Sequence, residues 1–426
     1  MLKNISKRTT AYLAITTCIL LPILGCTSAQ TDLGLTSDKT STSIADPTLN
    51  NGFNLFTSES ARVIKKADQY LNSPVKTITA DKAERSLGGL HDFYSEGDYW
   101  WPDPDDISAP YIRRDGESNP NNFVEHRLSL MRFSEIVASL TSAYIISSDT
   151  TYADKAAQHV SAWFADEKTR MNPSLLYGQA IKGRHSGRSI GIIDTVHLVE
   201  VAKSIPFLIE ANVFTPEDKN KILAWFSSYL NWLNTHEYGL TEKHHPNNHG
   251  VAWSLQAATF ARLVNDQSTI NWVRQQFKQV YLTEMMDQQG GFPAELARTK
   301  PYGYSLFVLD IMAGVAQIAS NEQNDLWHFK LADGRGMQLA VEFMRPYILN
   351  KNAWPLAPDI QYWNDWPVRQ NSIIFAAFAF QKPKYLKAWL PFEADPSEYE
   401  VVRNLPIRHP VIWLTKPNDV NYIPLI

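Results

Sequence analysis

The chain has 426 residues, is 44% hydrophobic and 20% charged, and carries a formal net charge of −4. This composition excludes a mostly disordered chain, and the absence of a long Lys/Arg run argues against a nucleic-acid binder. The only two cysteines, Cys18 and Cys26, stand near the N-terminus, which excludes a disulfide-stapled scaffold and a Cys-built zinc site. Thirteen Trp and eighteen Tyr form a large aromatic complement, of the kind that lines carbohydrate clefts.

Lys3, Lys7 and Arg8 precede an apolar run from Ala11 to Leu24. The run is too short for a spanning helix and suits a signal peptide. It ends in Ile23-Leu24-Gly25-Cys26, which resembles the bacterial lipobox. The expectation is cleavage after residue 25, lipidation of Cys26, and an outer-membrane lipoprotein facing the periplasm or the cell surface. Cleavage would remove three cations and no anion, taking the charge to −7. Residues 26–52 are rich in Ser, Thr, Asp and Asn and predict a flexible tether. The folded domain is expected over 53–426.

From Phe53 onward the period is helical. Leu130, Phe133, Val137, Leu140 and Tyr144 recur at three- and four-residue steps, which predicts an amphipathic helix. Thr215-Pro216-Glu217-Asp218 is a helix start, with a capping Thr, a first-turn Pro and acids at the positive end. Further helices are predicted near 57–72, 152–166, 189–211, 250–264, 268–284, 304–320, 327–346 and 371–382. Strand-like patterning is sparse, apart from runs such as Val411-Ile412-Trp413-Leu414. Many similar helices without a fixed-period repeat predict an all-α toroid or solenoid, whose loops gather at one end to build a cleft.

Four constellations carry chemistry. Gly88 to Tyr94, then Tyr99-Trp100-Trp101-Pro102-Asp103-Pro104 and Tyr111 to Gly116, place His91, Tyr94, Trp100, Trp101 and Arg113 in loops. They are candidate sugar contacts, with the indole faces as platforms; the alternative is a packed loop covering one end of the barrel. In Gly183-Arg184-His185-Ser186-Gly187-Arg188, Arg184 and Arg188 are candidates to bind an anionic group or to form a local salt bridge. His244-His245-Pro246-Asn247-Asn248-His249-Gly250 has no carboxylate at a metal-ligand spacing, and Pro246 breaks the helical geometry a His pair would need. No metal is expected. Asn248 is either a helix cap or an amide donor, with His249 as base. Finally, Arg298, Lys300, Tyr302 and Tyr304 fall within seven residues and could serve an anion and a proton transfer.

The last two constellations together resemble the alginate lyase superfamily of polysaccharide lyases, in which an Asn-Asn-His segment is followed by an Arg and a Tyr. The matching residues are Asn247-Asn248-His249, Arg298 and Tyr304. The loops at 88–94 and 99–104 look most like the glucuronan- and alginate-cleaving enzymes of polysaccharide lyase family thirty-eight. The resemblance covers most of 80–385; the tether and the last forty residues add nothing to it. It implies an (α/α) toroid of roughly six to seven hairpins, β-elimination of an acidic polysaccharide, and no cofactor. Arg–Tyr spacing in the better-known alginate lyase branch differs by about a residue, so Tyr302 and Tyr304 compete for one role; the family thirty-eight match favours Tyr304.

The chemistry suits these residues. Elimination needs the carboxylate beside C5 neutralised, by Asn248 and Arg298, before the C5 proton can leave. One Tyr can take that proton and protonate O4 where both lie on one face of the ring, as in mannuronate and glucuronate. For guluronate, His249 is the natural base and Tyr304 the acid. A Tyr base needs its pKa lowered from about 10, and Arg298 and His249 are the expected causes. A glycoside hydrolase would instead need two facing carboxylates, for which Asp92, Asp98 and Glu295 are available. A non-catalytic glycan-binding lipoprotein would explain the aromatics but not the joint Asn-His and Arg-Tyr pattern.

Overall fold

The computed structural model describes residues 46–417. The signal peptide, Cys26 and most of the tether lie outside the described residues. The tether's last residues belong to the body: Leu49 is buried in the core, and Leu55 N–H donates to the Pro47 carbonyl.

The chain forms an (α/α) toroid. Its inner helices are Glu125–Ser147, Leu198–Glu210, Asn248–Val264, Pro301–Ala319 and Asn371–Ala379. Each contacts the next around the ring, and the short helix Pro410–Leu414 packs on the first, second and last of them. The outer helices include Leu55–Leu71, Thr150–Phe164, Pro216–Thr235 and Met337–Leu349. Outer Gln267–Gln276 continues as a π-helix over Phe277–Met285.

The inner helices are largely buried and mostly apolar, although Glu125–Ser147 also buries charged residues such as Arg127 and Glu135. Pro301–Ala319 is long and apolar enough to cross a membrane by length and composition, yet it is buried inside the protein. Most large aromatics serve this core: Trp163, Trp253, Trp327 and Trp389 are fully buried, and Phe133 stacks on Trp163 at 4.6 Å. The aromatic complement is thus mainly packing.

Local chemistry explains where helices begin and end. Thr215 accepts from Asp218 N–H at 3.0 Å, as its spacing predicts. The helix expected over 327–346 starts only at Met337, because Gly334, at φ +91°, and Gly336 lead the chain into it through a turn. The region 189–211 divides into a 3₁₀ segment, Ser189–Thr195, and the helix Leu198–Glu210. Val411–Leu414 is helical and not a strand; a short all-apolar run has no period to distinguish the two, and Pro410 starts the turn.

Strand structure among the described residues is confined to two small pairings. Tyr94–Glu96 runs parallel to Tyr177–Ala180, and Trp100–Trp101 pairs antiparallel with Ile112–Arg113. The second sets Trp100 opposite Arg113 at the mouth of a cleft.

Candidate active site

Loops at one end of the inner helices enclose a cleft of about 380 Å³, lined by Tyr99, Trp100, Arg188, Asn248, His249, Arg298 and Tyr304 among others. Asn247, not Asn248, caps the helix, its side chain accepting from His249 N–H at 3.0 Å. Asn248 is thereby the first helical residue, and buried Glu295 grips it twice: Oε1 accepts from the Asn248 backbone N–H at 2.9 Å and Oε2 from its amide at 2.7 Å. Burial raises the Glu295 carboxyl above its ordinary range, with the Asn248 hydrogen bonds opposing.

His249 Nδ1 lies 2.6 Å from Oε1 of Glu242, which is itself buried. A carboxylate accepts, so Nδ1 is the donor and Nε2 is the ring nitrogen not engaged by Glu242. Gly250 allows this packing, since a Cβ there would stand 2.3 Å from the His245 carbonyl oxygen. The other histidines diverge: His244 meets the edge of Trp272, while His245 lies 5.1 Å from His249, ring to ring. Among the described residues, no group of three or more His, Cys, Asp or Glu side chains is arranged to hold a metal.

Opposite, Tyr304 occupies the first turn of Pro301–Ala319. Its hydroxyl accepts from Arg298 Nη2 at 3.3 Å and shares a 2.7 Å hydrogen bond with the Tyr99 hydroxyl. Arg298 is held by Asp115 through Nε at 3.2 Å and Nη2 at 2.9 Å. Burial pushes the Tyr304 phenol well above its ordinary pKa; Tyr99 reinforces this, while Lys300 and Arg298 pull it down without prevailing. The lowering expected from Arg298 and His249 is thus not the net result, and the resting group is a neutral phenol.

Behind Tyr99 runs a buried charge chain. Arg403 donates to Tyr99 at 3.0 Å, to Glu400 at 2.9 and 3.0 Å, and to Asp98 at 2.5 Å. Asp98 also pairs with Arg127, and Arg127 with Asp194. Lys300 pairs with Glu400. Burial alone would raise the Glu400 carboxyl, but Arg403 and Lys300 bring it down to about 2.

Residues 77–354 match the family described as alginate lyase. The chain belongs to that family. A crystal structure of an alginate lyase from Bacteroides ovatus is 30% identical, with a TM-score of 0.70, covering 84% of this chain and 93% of that one. Alginate lyase A1-III from Sphingomonas species A1 is 14% identical over 74% of this chain and 85% of its own, with a TM-score of 0.46. No curated protein matches the chain.

In this alginate lyase family member, the cleft brings together Asn248, His249, Arg298, Tyr304, Trp100, Arg113 and Arg188. Trp100 does not offer a bare face, because the guanidinium groups of Arg184 and Arg188 lie 5.6 and 5.7 Å from its ring centroid. Arg188 is placed by Gln179, whose backbone carbonyl and side-chain oxygen both accept from it; Gln179 holds a left-handed φ of 49° at the cleft wall. Burial lowers the Arg188 pKa to about 10.

Six residues expected at the cleft do not line it. Tyr302 is fully buried, its hydroxyl donating to the Tyr347 carbonyl at 3.2 Å and its ring set among Trp354 and Trp363. One helical turn separates neither tyrosine far in sequence, but a two-residue step rotates them to different sides of the helix. Lys300 is buried against Glu400. Tyr94 is buried with its hydroxyl on Glu96. Trp101 donates to the Glu117 carbonyl and lies under Arg114. His91 is hydrogen-bonded to the Arg170 carbonyl, and Arg184 donates to that of Tyr111. Conversely, sequence reasoning assigned no role to Tyr99, Glu242, Gln179, Glu400 or Arg403. Glu400 and Arg403 come from the last forty residues, and no local motif marks them.

Proposed function

We propose that this polysaccharide lyase cleaves a 4-linked uronic-acid polymer, alginate or glucuronan, by β-elimination. The observation carrying this reading is that the Tyr304 hydroxyl, Arg298 and the Asn248-His249 pair converge on one cleft with their partners already engaged. Asn248 has a second amide N–H besides the one donated to Glu295. With Arg298, it neutralises the substrate carboxylate as enolate charge develops at C5. Trp100, Arg113 and Arg188 hold neighbouring uronates. The neutral Tyr304 phenol suits protonation of O4, and His249 Nε2 suits removal of a C5 proton from the opposite face. Where both lie on one face, Tyr304 serves as base and then acid, and Arg298 and Tyr99 are the groups that would stabilise its phenolate.

A hydrolase reading finds less support. Asp98 is clamped between Arg127 and Arg403, Glu295 is taken by Asn248, and Asp92 is bonded to Gly89 and Asn172. Incubation with defined alginate blocks and glucuronan tests the proposal. An unsaturated, ultraviolet-absorbing product is expected. Reducing ends without that absorbance indicate a hydrolase, and binding without products indicates a capture protein.

The lipobox-like run supports attachment to a bacterial outer membrane through lipid on Cys26. Cys26→Ser should release the protein from the membrane fraction. An unlipidated mature N-terminus elsewhere, found by intact mass, would refute the anchor.

A further inference from the structure

The Tyr99 hydroxyl has more neighbours than it has hydrogens. It accepts from Arg403 Nη2 at 3.0 Å, and it can give its one proton either to Glu400 Oε1, 3.2 Å away, or to the Tyr304 oxygen, 2.7 Å away. Glu400 does not depend on it, since Lys300 and both Arg403 contacts remain when Tyr99 turns away. Among the described residues, the Tyr304 hydroxyl is hydrogen-bonded only by Tyr99 and Arg298. Glu400 opposes a negative charge on either phenol, and a charge on Tyr99 would oppose one on Tyr304; a Tyr99 that keeps its proton can instead donate it to the Tyr304 oxygen.

We infer that Tyr99 is a positioning residue for proton transfer, donating to Glu400 while Tyr304 holds its proton and turning to donate to Tyr304 when that proton is gone. The inference rests on the reading of Tyr304 as the proton-transfer group. No covalent bond of Tyr99 breaks. The proton moves between the Tyr304 oxygen and the sugar, and only the Tyr99 O–H rotates. A hydrogen bond to an anion is about twice as strong as one between neutral groups, so Tyr99 favours the phenolate. The charged and titratable groups around the pair are Asp98, Arg298, Lys300, Glu400 and Arg403, with His245 and His249 also lining the cleft.

The test compares Tyr99→Phe and Tyr304→Phe in the full chain, following kcat and KM against pH through the unsaturated product. Tyr99→Phe should lower kcat about tenfold to a hundredfold with little change in KM, in line with one hydrogen bond to a charged group. The limb governed by Tyr304 should move to higher pH by about one unit, because losing a donor to the phenolate makes ionisation harder. A merely structural role would scale the rate evenly and leave the limb where it was; that result, beside an inactive Tyr304→Phe, overturns the inference alone. A fully active Tyr304→Phe overturns the parent reading and this one with it. Fluorotyrosine at position 99 covers the case in which Tyr99→Phe does not fold. A more acidic donor should move the limb to lower pH, and an unmoved limb refutes the role.

Discussion

Replacing Tyr304 with Phe removes one oxygen and keeps a ring that is buried in the cleft wall. The fold should persist, because the lost hydrogen bonds go to Tyr99 and Arg298, which retain Glu400 and Asp115 as partners. Turnover should fall by about 10² to 10⁴, the contribution of a positioned acid–base group, equivalent to about 3–5 kcal/mol of barrier. Tyr302→Phe is the internal control. It removes one neutral hydrogen bond to the Tyr347 carbonyl, so stability should drop by about 0.5–1.5 kcal/mol while turnover stays near normal. Initial rates from product absorbance, with denaturant unfolding of both variants, measure the two effects separately. A folded, active Tyr304→Phe beside an inactive Tyr302→Phe would refute the assignment and shift the proton-transfer role by two residues.

Glu400 is held at about 2 in the folded protein against an ordinary 4.5. Its contribution is therefore complete above about pH 4.5 and is lost as the pH falls toward 2, roughly 3 kcal/mol in all; Glu400→Gln should remove that acid dependence in unfolding titrations and cost about 3–5 kcal/mol, since Lys300 stays buried without its counter-charge while Arg403 keeps only Asp98. Gly250→Ala must move the His245 carbonyl, only 2.3 Å from the new Cβ; a loss of about 1–3 kcal/mol is expected by denaturation, with reduced turnover from a displaced His249 and unchanged helix content by circular dichroism. Turnover should survive EDTA, because His249 is oriented by Glu242; loss with recovery on adding a divalent ion would overturn the assignment of His249 as a free base.

The periodicity of apolar residues was enough to determine an all-helical body, and capping chemistry placed several helix starts, Thr215 among them. The Asn-Asn-His, Arg and Tyr set was legible because each member sits at the start of an element or in the loop just before one, where short motifs survive in sequence. What the pattern could not supply was direction. Tyr302 and Tyr304 read alike, but their different angles around one helix send the first among Trp354 and Trp363 and the second into the cleft. Lys300 looked like an anion contact and is instead the buried partner of Glu400, one hundred residues away in sequence. The supports of the site are long-range in the same way: Arg298 on Asp115, Asn248 on Glu295, and Tyr99 on Glu400 and Arg403. Composition and spacing determine which residues can do chemistry. Only closure of the helical ring decides which of them meet, because hydrogen bonds between distant loops leave no periodic trace in the chain.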